Sequence, residues 1–163
     1  MKLVIVGCGR VGAALATMMV KDGHDVTIID QNSEAFERLG HDFKSKIKTV
    51  IGDGIDEDVL RRAGLESADA FASVTNGDNR NIMSAQIAKH RFHVSRVICR
   101  IYDPIRMETY KGLGLDSVSP TIVGAKLLRD ALVKPVPEGE HASEPGSLPS
   151  GRQPSAAGRP QAQ

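Results

Sequence analysis

The sequence predicts an α/β fold built on one parallel sheet of six strands, and three observations in the chain predict it. Short continuous apolar runs alternate with longer stretches of helical period. A glycine-rich turn joins the first apolar run to the first helical stretch. The 163 residues are 40% hydrophobic but only 4% aromatic and contain no Trp, so the core must be built from Val, Ile, Leu and Ala. That palette suits a sheet buried on both faces. Parallel neighbours require right-handed crossovers, so the alternation gives a doubly wound, Rossmann-type architecture with helices on both faces.

The first strand is Leu3–Val6, closed by a turn at Gly9 and followed by a helix over Val11–Lys21. Five more strands are expected at Val26–Ile29, Ile47–Ile51, Ala70–Val74, Val97–Ile101 and Asp116–Ser119, each with a helix candidate after it. Asn32 and Ser33 are placed to cap a helix running through Phe36 and Leu39 to Gly40. Asp56 caps a short helix, Glu57 to Ala63, that Gly64 stops, and Asp103 followed by Pro104 starts the helix through Met107 and Tyr110. Pro120 is expected to close the last strand and Thr121 to cap a final helix bearing Ile122, Ala125, Leu128 and Leu132. An apolar stripe beyond a completed sheet assigns that helix to the periphery as a dimer contact. After Val133 the chain turns to Pro, Gly, Ser and Ala, so the expected organisation is one domain over 1–133 and a disordered tail over 134–163.

Composition narrows the function. A net charge of +1, from 21 basic and 20 acidic residues, provides no broad positive field, and nucleic acid is not an expected partner. No apolar run approaches the length of a bilayer span and the N-terminus carries no export signal, which places the chain in the cytoplasm. Cys8 and Cys99 stand in neither a metal nor a redox spacing and read as small buried hydrophobes. The five histidines have no metal spacing, and no metal site is expected.

The string GCGRVG, Gly7 to Gly12, follows a strand and opens a helix, which is the setting in which such a turn grips a pyrophosphate. Gly7 permits the bend, Gly9 clears the backbone N–H groups for a phosphate, and Gly12 lets the helix approach the strand. Helix N-terminal amides then supply donors and partial positive charge, with Cys8 and Val11 contributing backbone to the same turn. Asp30, eighteen residues after Gly12 and beside Gln31, ends the second strand where a carboxylate accepts from ribose hydroxyls and repels a 2′-phosphate; the competing role is a cap for the next helix. The pattern therefore favours NAD(H) or ADP/ATP over NADP(H). Arg10 is suited to a terminal phosphate, or else is a solvated first-turn residue.

Ligands of doubly wound sheets lie outside the carboxyl ends of the strands. The third strand ends in Gly52-Asp53-Gly54, which either contacts adenine or forms an ordinary turn. The fourth ends in Thr75-Asn76-Gly77-Asp78-Asn79, which either contacts ribose or phosphate or supplies an N-cap from Asp78 or Asn79. Arg100, a charge within an apolar strand, needs a partner, either a bound phosphate or the Asp53 carboxylate. The candidate cofactor-binding set is Gly7, Cys8, Gly9, Arg10, Val11, Gly12, Asp30, Gln31, Asp53, Gly54, Thr75, Asn76 and Arg100, with no catalytic residue among them.

Taken together, GCGRVG, the Asp30 strand end, GDGIDEDVLRRAGLESADAFASVT, the NGDNRN helix opening and GLGLDSVSPT resemble the N-terminal RCK domain of Trk and Ktr potassium-uptake regulatory subunits, from Met1 to about Val133. The resemblance implies a cytoplasmic gating subunit, peripheral at the inner membrane face, that assembles as dimers and often as eight-membered rings beneath a membrane potassium channel or transporter. It implies NAD(H), ATP or ADP as ligand, phosphates on Gly7, Gly9 and Gly12, ribose on Asp30, adenine near Asp53, and a terminal phosphate near Arg10. Members that respond to divalent cations carry a glutamate shortly after the proline before the last helix; here Thr121 follows Pro120 and does not match. The expected function is nucleotide sensing without catalysis. The alternatives are an NAD-dependent oxidoreductase or its cofactor domain, and a redox or transcriptional sensor.

Overall fold

The computed structural model describes residues 1–134; the tail expected over 134–163 lies, beyond Lys134, outside the described residues. Six strands, β1 (Lys2–Val6), β2 (Asp25–Asp30), β3 (Lys48–Ile51), β4 (Ala70–Ser73), β5 (Arg96–Arg100) and β6 (Asp116–Val118), form one sheet in the order β3-β2-β1-β4-β5-β6. Every adjacent pair is parallel, with Val6 opposite Ile29 on one side and Ser73 on the other. The chain winds outward in opposite directions from β1 and β4, and these two neighbours therefore flank the crevice where the order reverses.

Helices α1 (Arg10–Lys21), α2 (His41–Lys44), α3 (Glu57–Arg62), α4 (Asp78–His90), α5 (Pro104–Gly112) and α6 (Pro120–Val133), with 3₁₀ helices at Ser33–Leu39 and Leu65–Ser67, complete the order. Two apolar cores result. On one face, Leu3, Ile5, Val26 and Ile28 pack against Ala13 and Ala16 of α1 and against Phe36 and Leu39. On the other, Val4, Val6, Phe71, Val97 and Cys99 pack against Val59 and Leu60 of α3 and Ile82, Ala85 and Ala88 of α4. Alternate residues of β1 thus serve opposite cores, as the pleat requires.

The caps explain where the elements start. The Asn32 side chain accepts from Glu34 N at 2.9 Å, Asp56 from Asp58 N at 2.8 Å, and Asp103 from Ile105 N at 2.9 Å ahead of Pro104. Three expectations are corrected. Ser33–Leu39 is a 3₁₀ helix, and Gly40, at φ 71°, breaks it from the four-residue α2. Pro120 begins α6 instead of closing β6, and Thr121 lies within its first turn, because proline is preorganised for the first helical position. Neither Asp78 nor Asn79 caps α4: Gly77 is the N-cap, and Asp78 instead accepts from Tyr102 N at 2.9 Å and Asp103 N at 3.3 Å. That carboxylate ties the start of α4 to the loop after β5.

Candidate functional site

At the carboxyl ends of the strands lies an open cavity of about 660 Å³. Its wall includes Gly7, Cys8, Gly9, Arg10 and Val11 of the turn, Asp30 and Gln31 after β2, Asp53 and Gly54 after β3, Thr75 and Asn76 after β4, and Arg100 of β5. Twelve of the thirteen candidate residues therefore meet in one place although they come from five strand ends. Gly12 is the exception: it is buried behind the turn, where a Cβ would stand 1.8 Å from Gly7 O.

The turn is shaped by contacts on both sides. Gly7 has φ 102°, a conformation side chains resist, and a Cβ there would lie 2.9 Å from Thr75 N. Its N–H donates to Ile29 O at 2.8 Å, which holds the turn to β2. Asp30 accepts from Cys8 N at 2.6 Å and from Asn32 N at 2.9 Å, so its carboxylate joins the turn to the 3₁₀ helix. A carboxylate has about four acceptor positions, which leaves room for further donors. Gly54 has a packing reason as well, since a Cβ there would sit 2.1 Å from Val6 Cγ1.

The expected Arg100–Asp53 pair is not formed. Asp53 Oδ1 turns back to accept from Ile55 N at 3.2 Å, while Arg100 donates from Nη2 to the Thr75 carbonyl and lies over the Tyr102 ring with 4.4 Å to its centroid. Its Nε has no partner although the residue is only 8% exposed.

Sequence reasoning missed Arg38 and Arg80, which line the same cavity, together with Asn32 and Tyr102. Arg38 belongs to an exposed 3₁₀ face, which reads as solvated surface. Arg80 offered a signal: like Arg10, it places positive charge in the first turn of a helix, which is locally unfavourable unless an anion is near. Among the described residues, none of Arg10, Arg38, Arg80 and Arg100 forms a salt bridge. Four guanidinium groups against Asp30 and Asp53 make a cavity suited to an anion.

Cys8 also lines the wall, with its Sγ donating to Ala35 O at 3.3 Å. Burial first, then the negative charge of Asp30, pushes its thiol up to about 11; burial and Asp78 do the same to Cys99. Below that pH both remain thiols, and at pH 8 only about one part in a thousand is the reactive thiolate. Iodoacetamide at pH 8 is expected to leave both cysteines of the folded chain largely unmodified and to alkylate both rapidly in denaturant, as read by mass spectrometry.

No group of His, Cys, Asp and Glu suited to a metal ion occurs among the described residues, and none of their helices is long and apolar enough to cross a membrane. Residues 3–120 match the model of the TrkA-N domain family. The chain is 42% identical over 154 residues to the Trk system potassium uptake protein TrkA of Streptomyces coelicolor, covering 94% of this chain and 61% of that protein. It is 31% identical over 136 residues to a TrkA homolog of Methanothermobacter thermautotrophicus, covering 83% and 62%. The chain thus spans about three fifths of the length of these curated relatives. Among solved structures, GsuK bound to ADP is similar at TM-score 0.69 and 26% identity, over 81% of this chain and 34% of that one. The GsuK channel bound to NAD is similar at TM-score 0.67 and 26% identity, over 80% and 23%.

Proposed function

The chain belongs to the TrkA-N domain family, and from that premise we propose that its cavity holds an adenine nucleotide, NAD(H) or ADP/ATP, whose occupancy regulates a membrane potassium-uptake system. One observation carries the reading. Gly9 has φ −75° and ψ −170°, which any residue adopts, and a Cβ built on it meets nothing within 4 Å. The fold makes no demand for glycine there, in contrast to Gly7 and Gly12. The vacancy opens onto the N-terminus of α1, where free amides face the cavity, and a phosphate is the group that uses such a gap.

In this reading the turn amides and Arg10 hold the phosphates, Asp30 beside Gln31 holds the ribose, and Asp53 lies by the adenine. Thr75, Asn76 and Arg100 form the opposite wall. The GsuK structures with ADP and with NAD support either ligand. The relatives carry the names of potassium-uptake proteins, not of enzymes, and the reading includes no catalytic step. Regulation requires only that the ligand bind two arrangements of the assembly unequally. The arrangement proposed is a cytoplasmic homodimer, extended in the family's manner to an eight-membered ring, at the inner face of the membrane and in contact with the transporter. The uncovered apolar residues of α6 support the dimer: no residue of that helix is buried.

Gly9→Ala provides the test. Alanine at this N-cap is expected to lower stability by at most about 1 kcal/mol. Its methyl group fills the space a phosphate needs, and affinity is expected to fall by about tenfold or more, the equivalent of losing one charge-assisted hydrogen bond. Titration calorimetry of wild type and variant with ATP, ADP, AMP, NAD and NADH measures this. Equal affinities for the two proteins would remove the phosphate from the turn, and hydride transfer in a turnover assay would transfer the reading to an oxidoreductase.

A further inference from the structure

Asn81, the fourth residue of α4, has no solvent exposure and every hydrogen-bonding group of its side chain engaged. Its Oδ1 accepts from Ser73 Oγ at 3.0 Å, Thr75 N at 2.8 Å and Thr75 Oγ1 at 2.7 Å. Its Nδ2 donates to Thr75 O and to Arg100 O, both at 2.9 Å. Only this orientation of the amide satisfies all five partners, since the reverse sets an NH₂ against the Thr75 N–H and an oxygen against two carbonyls. Burying so polar a group gains nothing over an apolar side chain of the same size unless the network fixes something.

What it fixes is Thr75, held by N–H, carbonyl and hydroxyl together. Thr75 is the residue against which Gly7 rests, so its position sets the width of the gap between the glycine turn and the opposite wall. Arg100 closes the ring by donating to the same carbonyl, while its buried Nε has no partner. We propose that Asn81 is the positioning residue of the nucleotide site: it preorganises the Thr75–Arg100 wall at the spacing the ligand requires. The inference rests on the reading of the cavity given above.

Asn81→Asp separates positioning from simple support. The carboxylate keeps one oxygen for Ser73 and Thr75 but turns the other toward two carbonyls, a repulsion relieved only when it is protonated. Burial and those carbonyls favour the protonated form; the Arg100 guanidinium opposes them, while Asp78 on the same helix and the neutral Cys99 thiol add nothing in favour of ionisation. The ADP affinity of folded protein, verified by far-ultraviolet circular dichroism, is measured at about pH 5.5 and about pH 8. The ratio of variant to wild-type Kd is the readout, so that ionisation of the ligand cancels. The expected ratio is about ten or more at the higher pH and falls toward one at the lower.

A ratio near one at both pH values overturns the inference alone. Wild-type protein that binds no nucleotide overturns the reading of the cavity and this inference with it. If Asn81→Asp does not fold, hydrogen exchange of the wild type decides: saturating ADP is expected to slow exchange at the Thr75 amide together with the turn amides, and protection of the turn with Thr75 unmoved overturns the proposal.

Discussion

Gly12→Ala is expected to destabilise the domain by about 3 kcal/mol or more, the upper range for forcing an atom into a packed interior. The added Cβ would lie 1.8 Å from Gly7 O and 3.2 Å from Val74 Cγ2. Neither neighbour has an easy retreat. Gly7 O belongs to the backbone of a turn already held by Ile29 O and abutting Thr75, and Val74 is fixed through its N–H to Val6 O at 2.8 Å. Relief therefore requires α1 to move off β1, which opens the core formed by Ala13, Ala16, Leu3 and Ile5. A loss of this size is a large fraction of the 5 to 15 kcal/mol, roughly, that holds an ordinary domain together. Chemical denaturation measures it. Variants at 9 and 12 are expected to dissociate two roles that one motif combines: alanine at 9 spares the fold and weakens the ligand, and alanine at 12 damages the fold first. A stable Gly12→Ala protein with native helix content would show that α1 has freedom to shift.

Period and composition made the sheet legible because its central strands β1, β2 and β4 are short apolar runs whose two faces are both buried, and Val4 and Ile5 of β1 go to opposite cores; the outer strands β3 and β6 bury no residue fully. Caps were legible where the side chain acts on its own next turn, as at Asn32, Asp56 and Asp103. Asp78 was misread because its carboxylate acts at a distance of 24 and 25 residues, on Tyr102 and Asp103, a relation no local window contains. The same limit governs the cavity. Residues just after a strand converge by the topology alone, so Gly7, Asp30, Asp53 and Thr75 could be named in advance, whereas Arg38 enters from a helix face and only packing brings it inward. Arg100 was recognised as anomalous and given either a phosphate or Asp53 as its partner; the Asp53 alternative fails because a backbone carbonyl and an aromatic face, neither legible as a partner in the sequence, engage the guanidinium instead.

The second large effect is expected at α6. Leu127→Asp combined with Leu128→Asp should leave the melting of the domain nearly unchanged, within about 1 kcal/mol, because the two leucines are 65% and 67% exposed in the protomer. In the dimer proposed above the same carboxylates would be buried without partners, and the dissociation constant is expected to rise by about a hundredfold or more. Sedimentation equilibrium measures this. The protomer carries a second apolar surface on the sheet, where Ile98 and Val118 are 41% and 43% exposed beside an open groove lined by Leu3, Leu15, Met19 and Ala72. In the proposed dimer, a helix that buries none of its own residues and a groove that lacks a cover would supply the two halves of an isologous contact, in which each copy gives the helix and receives it. A dimer unaffected by the two aspartates would place the contact elsewhere. If α6 is the contact, binding and assembly are linked by thermodynamic necessity: whatever factor ADP adds to dimer affinity, dimerisation must add to the affinity for ADP. The double variant should therefore also shift the nucleotide Kd, although neither leucine lines the cavity, and the size of that shift is the most a ligand at Gly9 can deliver to anything the dimer touches.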